Sequence, residues 1–149
     1  MARDEFRFRH TLRVRWSEVD KQGIVFNGHY LTYFDVGVTE YYRTIGMPYP
    51  NAIASDGADL YAKKAEIEYH ASAAYDDLID VCVRVVRIGR SSFEFRIELY
   101  RGDELLVSGS LIYVNANSET RKSAQLPAPL VDAFRRFESV APEESGATR

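Results

Sequence analysis

At 149 residues and a formal net charge of -3, the chain has the size of one ordinary domain, long enough to bury roughly two-thirds of its unfolded surface. Its 46% hydrophobic and 28% charged content excludes a disordered chain and offers no basic field for nucleic-acid phosphates. A single cysteine, Cys82, excludes an internal disulfide and a multi-cysteine zinc site, and fits a reducing compartment. Residues 7–17 alternate in part, with Phe8, His10, Leu12, Val14 and Trp16 on one side and Arg9, Thr11, Arg13 and Arg15 on the other, the period of a strand. The polar run from Glu18 to Gly23 reads as a turn. From about Asn27 the period changes: Leu31, Phe34, Val38, Tyr41/Tyr42 and Ile45 form one buried helical stripe. Asn27 suits an N-cap, Gly46 a C′ glycine, and Pro48 stops continuation, predicting a helix of roughly 18 residues.

After an irregular stretch at 47–58, strand-like runs follow at about 59–71, 78–88, 91–101 and 104–115. In the third, Phe93, Phe95, Ile97 and Leu99 interleave with polar residues, and Gly89-Arg90 and Gly102-Asp103 suit antiparallel hairpins. A second helix is predicted over about 128–139, with Leu130, Val131, Phe134 and Phe137 inward. This order predicts an α+β fold in which an antiparallel sheet of about five strands wraps one long central helix, since that satisfies both apolar faces at once. Such an arrangement is the hot-dog fold. One domain is expected over residues 1–140, with 141–149 a mobile tail lacking apolar residues to anchor it.

The densest group of unusual residues lies at the first strand-to-helix junction: Asp20, Gly23, Asn27, Gly28, His29 and Tyr30. Helix N-termini present unpaired N–H groups and partial positive charge. Such a terminus can hold a developing oxyanion while a nearby carboxylate attacks or activates water. On spacing alone, a turn or capping role for Asp20 is the commoner reading, because the helix dipole favours carboxylates there.

The run from Trp16 to Asp35 resembles the signature of the 4-hydroxybenzoyl-CoA thioesterase family of hot-dog acyl-CoA thioesterases, with Asp20, Gly23, Ile24, Val25, Phe26, Asn27 and Tyr30 in place. The segments 67–78 and 87–93 are similar to that family too, and the likeness spans about residues 8–137. It implies an acyl-CoA thioester hydrolase in which Asp20 is nucleophile or general base and the backbone N–H at Asn27 polarises the carbonyl. Gly23, Phe26, Gly28, His29 and Tyr30 would surround the substrate, and coenzyme A would place its phosphates near Arg90, Ser91, Arg121 and Lys122. The resemblance further implies a homodimer or homotetramer, with the acyl pocket built where two strands pair across the interface. No cofactor is implied, because coenzyme A belongs to substrate and product. Two positions depart from the pattern: some relatives carry His or Tyr where this chain has Asn27, and many carry Arg where it has Val38, leaving the role of Asp35 open.

Other readings stand beside this one. His29 either relays a proton or is a polar residue at an exposed helix start. His10 and His70 lie far apart and show no metal-ligand spacing, so no metal site is expected. Asp35 and Glu40 are not an i,i+4 pair, and Cys82 reads as a buried small hydrophobe between Val81 and Val83. The first residues carry charge where a signal peptide needs an apolar run, and no stretch approaches the ~18 apolar residues of a membrane span, so a cytoplasmic location is expected. Rival functions for the same fold are a dehydratase or hydratase, and a non-catalytic module binding acyl-CoA or acyl-carrier protein.

Overall fold

Apolar alternation builds a sheet, and the 3.6-residue stripe builds the helix that lies on it. The computed structural model, which describes residues 2–54 and 56–145, runs β1 (Phe8–Arg13), α1 (His29–Thr44), β2 (Ala58–Tyr69), β3 (Leu78–Ile88), β4 (Ser92–Arg101), β5 (Glu104–Asn117), α2 (Ala128–Phe137) and β6 (Glu143–Glu144). The sheet order is β1-β3-β4-β5-β2, antiparallel throughout, with β6 adding parallel to β3. This is the α+β hot-dog arrangement, with six strands rather than five. β1 and β2 are the edges. β1 ends at Arg13 rather than about 17 because Trp16–Glu18 turn in a 3-10 helix, which leaves Trp16 73% exposed.

Register sets which residues meet the helix. Val81–Leu99–Val107, Val83–Ile97–Gly109 and Val85–Phe95–Leu111 form rows across β3, β4 and β5 on the face that α1 covers. Phe34, Val38 and Tyr41 of α1 are buried against this face. The helix approaches closely because two positions lack side chains: a Cβ at Gly37 would press into Val81, and one at Gly109 would meet the Phe34 ring at 2.8 Å. α1, 16 residues long, is about 24 Å in length.

α2 packs its inward residues as expected, with Leu130 and Phe134 fully buried and Phe134 4.9 Å from Phe93 between ring centres. Beyond it, Glu138 reaches into the core. One carboxylate oxygen accepts the Tyr41 hydroxyl at 2.5 Å and the Val85 N–H at 3.0 Å, where β3 bulges between Val85 and Arg87. The other oxygen has no partner among the described residues. Burial outweighs these hydrogen bonds and raises the Glu138 pKa above its ordinary 4.5. A carboxyl with a raised folded pKa contributes stability that is full below pH 4.5 and is lost as pH rises through the folded value. Denaturant unfolding of wild type and Glu138→Gln across pH 4–8 is expected to show the wild type losing stability relative to the variant as pH rises. Parallel curves refute this.

The chain end departs from a simple loose tail in its described part. Glu143 and Glu144 pair with Arg87 and Ile88, and Arg135 binds the Glu144 carboxylate at 2.6 and 2.9 Å. Residues 146–149, also expected to be loose, lie outside the described residues.

Candidate active site

Between β1 and α1 the chain makes a small hairpin, closed by a Val19–Val25 bridge. The Asp20 N–H donates to the Ile24 carbonyl and the Gly23 N–H to the Asp20 carbonyl, both at 2.9 Å. Gly23 takes φ +79°, a conformation side chains resist, so glycine suits this turn. One Asp20 carboxylate oxygen accepts the Gln22 N–H at 2.8 Å. The other accepts from no protein donor among the described residues. The hairpin is docked to the segment after β2: Ile24 bridges Ala74, the Val25 N–H donates to the Ala73 carbonyl, and the Ala73 N–H donates to the buried Tyr30 hydroxyl at 3.0 Å.

The helix start differs from the expected Asn27 cap. Gly28 is the N-cap, already in helical backbone geometry (φ -66°, ψ -23°), and no side chain caps it. The chain enters α1 through consecutive turns, the Phe26 carbonyl accepting the His29 N–H and the Asn27 carbonyl accepting the Tyr30 N–H. That leaves the Asn27 and Gly28 N–H groups without a protein acceptor among the described residues. They sit at the positive end of the longest helix. Gly28 also makes room for Phe26, whose ring would lie 3.1 Å from a Cβ there.

These pieces enclose an open cleft of about 410 Å³. Asp20, Phe26, Asn27 and Tyr30 line it, joined by Gln22, Ile24 and Val25 and, from the end of β2 and the chain after it, by Tyr69, His70, Ala71 and Ser72. The Tyr69 hydroxyl donates to the Asn27 carbonyl at 3.3 Å, and its ring lies 5.6 Å from Tyr30. Of the other residues singled out at the junction, Gly23 makes the hairpin turn, Gly28 caps α1, and His29 sits edge-on to Phe26 at 5.9 Å, outside the lining. A carboxylate, the open Asn27 amide and an aromatic wall can bind a carbonyl compound and deliver a base or nucleophile to it.

Arg90, Ser91, Arg121 and Lys122 are not part of this cleft. Arg90 and Ser91 form the β3–β4 turn, their carbonyls accepting the N–H groups of Leu126 and Asn115. Arg121 stacks 4.7 Å over Tyr61, and the Lys122 carbonyl accepts the Asn117 N–H. All four lie at the end of the sheet where β3 and β5 finish and β2 begins, opposite the end that holds Asp20. Asp35 is exposed on α1 outside the cleft, and Val38 is buried in the core. His70 places Nε2 2.8 Å from the Ser108 hydroxyl. Cys82 is buried, its thiol pushed up to about 11 chiefly by burial. No group of three or more His, Cys, Asp or Glu suited to a metal is present among the described residues.

Sequence reading missed the wall formed by Tyr69 to Ser72, which it took for strand and turn; the likeness of segment 67–78 was the available signal. It also missed Glu18, read as part of a polar turn but only 5% exposed. No helix among the described residues is long and apolar enough to cross a membrane.

Comparison with known proteins gives one consistent picture. The sequence pattern of the thioesterase superfamily matches residues 22–108, more than half of the chain, beginning two residues after Asp20. A protein of Aquifex aeolicus named as an esterase is 30% identical over 96 residues, 64% of this chain and 74% of its own. The acyl-CoA thioesterase YbgC of Haemophilus influenzae is 24% identical over 130 residues, 87% of this chain and 96% of its own. Among solved structures, the 1,4-dihydroxy-2-naphthoyl-CoA thioesterase Slr0204 of Synechocystis superposes with a TM-score of 0.80 at 21% identity, covering 85% of this chain and 94% of its own.

Proposed function

The chain belongs to the thioesterase superfamily, and from that premise we propose that it hydrolyses an acyl-CoA thioester to the free acid and coenzyme A, with Asp20 as the reacting carboxylate. The observation that carries this reading is the pairing of Asp20 with the open amide of Asn27 in one cleft. In the general-base form, water adds to the thioester carbon and gives its proton to Asp20. The carbonyl oxygen, now negative, is held by the N–H of Asn27. Collapse reforms the C=O and breaks the C–S bond, and the thiolate leaves and is protonated. In the nucleophilic form the Asp20 carboxylate adds to the same carbon, expels the thiolate, and leaves a mixed anhydride that water opens. Tyr30, Tyr69 and Phe26 offer an aromatic wall to the acyl group or the pantetheine arm.

The distant basic residues enter this reading through a second copy. β2 is a 12-residue edge strand, unpaired on its outer side among the described residues. Antiparallel pairing of β2 with a partner's β2 would bring one protomer's Tyr69 end beside the other's Ala58 end. Arg90, Ser91, Arg121 and Lys122 of the partner would then lie near Asp20, where coenzyme A phosphates need positive charge. A monomer in sedimentation experiments refutes this arrangement.

Thiol release measured across a panel of aliphatic and aromatic acyl-CoAs tests the activity itself. Release from at least one class is expected. Tight binding without release across the whole panel would make the protein a binding module, and hydration of an enoyl-CoA without thiol release would make it a hydratase.

A further inference from the structure

Two residues before Asp20 stands a buried carboxylate that accepts four hydrogen bonds. One Glu18 oxygen accepts the Arg15 N–H at 2.7 Å and the Tyr33 hydroxyl at 2.8 Å. The other accepts Arg15 Nε at 3.0 Å and a guanidinium NH₂ at 2.7 Å. The Glu18 carbonyl accepts the Phe26 N–H at 3.0 Å across the base of the Asp20 hairpin, and the Phe26 carbonyl in turn accepts the His29 N–H at the helix start. Tyr33 belongs to α1, one turn beyond His29. A single buried side chain thus ties the base of the hairpin that carries Asp20 to the helix that begins just after Asn27 of the same cleft.

The Glu18 carboxylate is buried while the Arg15 side chain is exposed, and an ion pair open to water on one side adds little stability; fixing one arrangement among several is what such a contact can add. Burial by itself would raise the Glu18 pKa, but the Arg15 backbone N–H, the Arg15 guanidinium and the Tyr33 hydroxyl outweigh it and hold the carboxyl below its ordinary range.

We propose that Glu18 is a positioning residue for thioester hydrolysis, holding the Asp20 carboxylate in register with the amide of Asn27. The role rests on the Asp20 reading above, because Glu18 acts only through that carboxylate. Replacement by Gln keeps the volume and one acceptor but turns an NH₂ group toward the Arg15 guanidinium, which loosens the clamp without opening a cavity.

The test compares wild type, Glu18→Gln, Tyr33→Phe, Asp20→Asn and the Glu18→Gln/Asp20→Asn double variant in thiol release from one acyl-CoA. Single-turnover conditions keep slow variants readable, and circular dichroism and thermal melting report folding. Glu18→Gln is expected to lower kcat about tenfold with KM within about threefold of wild type, since displacements of an ångström in a reacting group cost up to ~10²-fold. Tyr33→Phe, which removes one of four hydrogen bonds, lowers kcat about threefold. The double variant turns over at the Asp20→Asn rate, because a misplaced carboxylate that is already absent has no further effect. Folded Glu18→Gln with wild-type kcat, or a Glu18→Gln loss that persists undiminished in the Asp20→Asn background, overturns the positioning role and leaves the Asp20 reading standing. Wild-type turnover by Asp20→Asn overturns both. Should Glu18→Gln fail to fold, Tyr33→Phe decides: an unchanged kcat overturns the proposal.

Discussion

Asp20→Asn is expected to lower kcat for thiol release by at least ~10²-fold, the usual size of losing a nucleophile or general base, while leaving the fold intact. The fold should survive because the change is isosteric. The asparagine carbonyl can still accept the Gln22 N–H, and the hairpin's backbone bonds to Ile24 and Gly23 do not involve the side chain. The uncharged amide cannot take a proton from water or open an acyl group at useful rates. KM should change little, since binding depends on the aromatic wall and on coenzyme A contacts rather than on this carboxylate. Steady-state kinetics beside a melting curve separate the effects, and near-normal turnover by the folded variant removes Asp20 from the chemistry.

Gly109→Ala should produce the largest loss of stability from one methyl group. Gly109 pairs with Ile97 of β4 and Ile67 of β2, so it has sheet neighbours on both sides. A Cβ there would overlap the Glu66 carbonyl oxygen and stand 2.8 Å from the Phe34 ring, itself fully buried. The oxygen belongs to backbone already paired with β5 and cannot rotate away; the ring is locked between helix and sheet. Either β2 separates from β5 or α1 lifts from the sheet. Overpacking of this kind costs about 3 kcal/mol, or roughly 6–12 °C in Tm for a chain of this length. Because β2 ends at Tyr69, which hydrogen-bonds the Asn27 carbonyl, kcat should fall even at temperatures where the variant is folded. An unchanged melting temperature would show that the sheet yields there at no cost.

Both predictions join something local in sequence to something that is not. The order of strands and helices is legible because it depends on periodicity, and a period survives whatever packs against it: the alternation predicts β3 over 78–88, and the strand spans Leu78–Ile88. The start of α1 was less legible. A side-chain cap at Asn27 is a statistical preference, and here the chain already turns helically at Gly28, which has no side chain to cap with. Trp16 kept the strand's alternation, yet the Trp16–Glu18 turn took it out of the strand and into solvent.

The candidate site divides in the same way. Asp20, Gly23, Phe26, Asn27 and Tyr30 fall within eleven consecutive residues, so a hairpin and one helical turn suffice to gather most of them, and a linear motif can display them. Tyr69 to Ser72 join the cleft only because β2 pairs with β5 in one register and ends beside the helix start. Arg15 supplies three of the four hydrogen bonds to the Glu18 carboxylate from three residues away, but the fourth, from Tyr33, is brought by α1 and is not marked locally. Nor does the sequence show that Arg90 and Arg121 lie at the far end of the sheet, which follows from strand direction and length. Composition and periodicity alone determined an α+β domain with a carboxylate beside a helix start, because those features arise between near neighbours. Only the tertiary structure decided what faces that carboxylate, because contacts between distant segments are set by strand register and by how closely α1 can approach the sheet over Gly37 and Gly109.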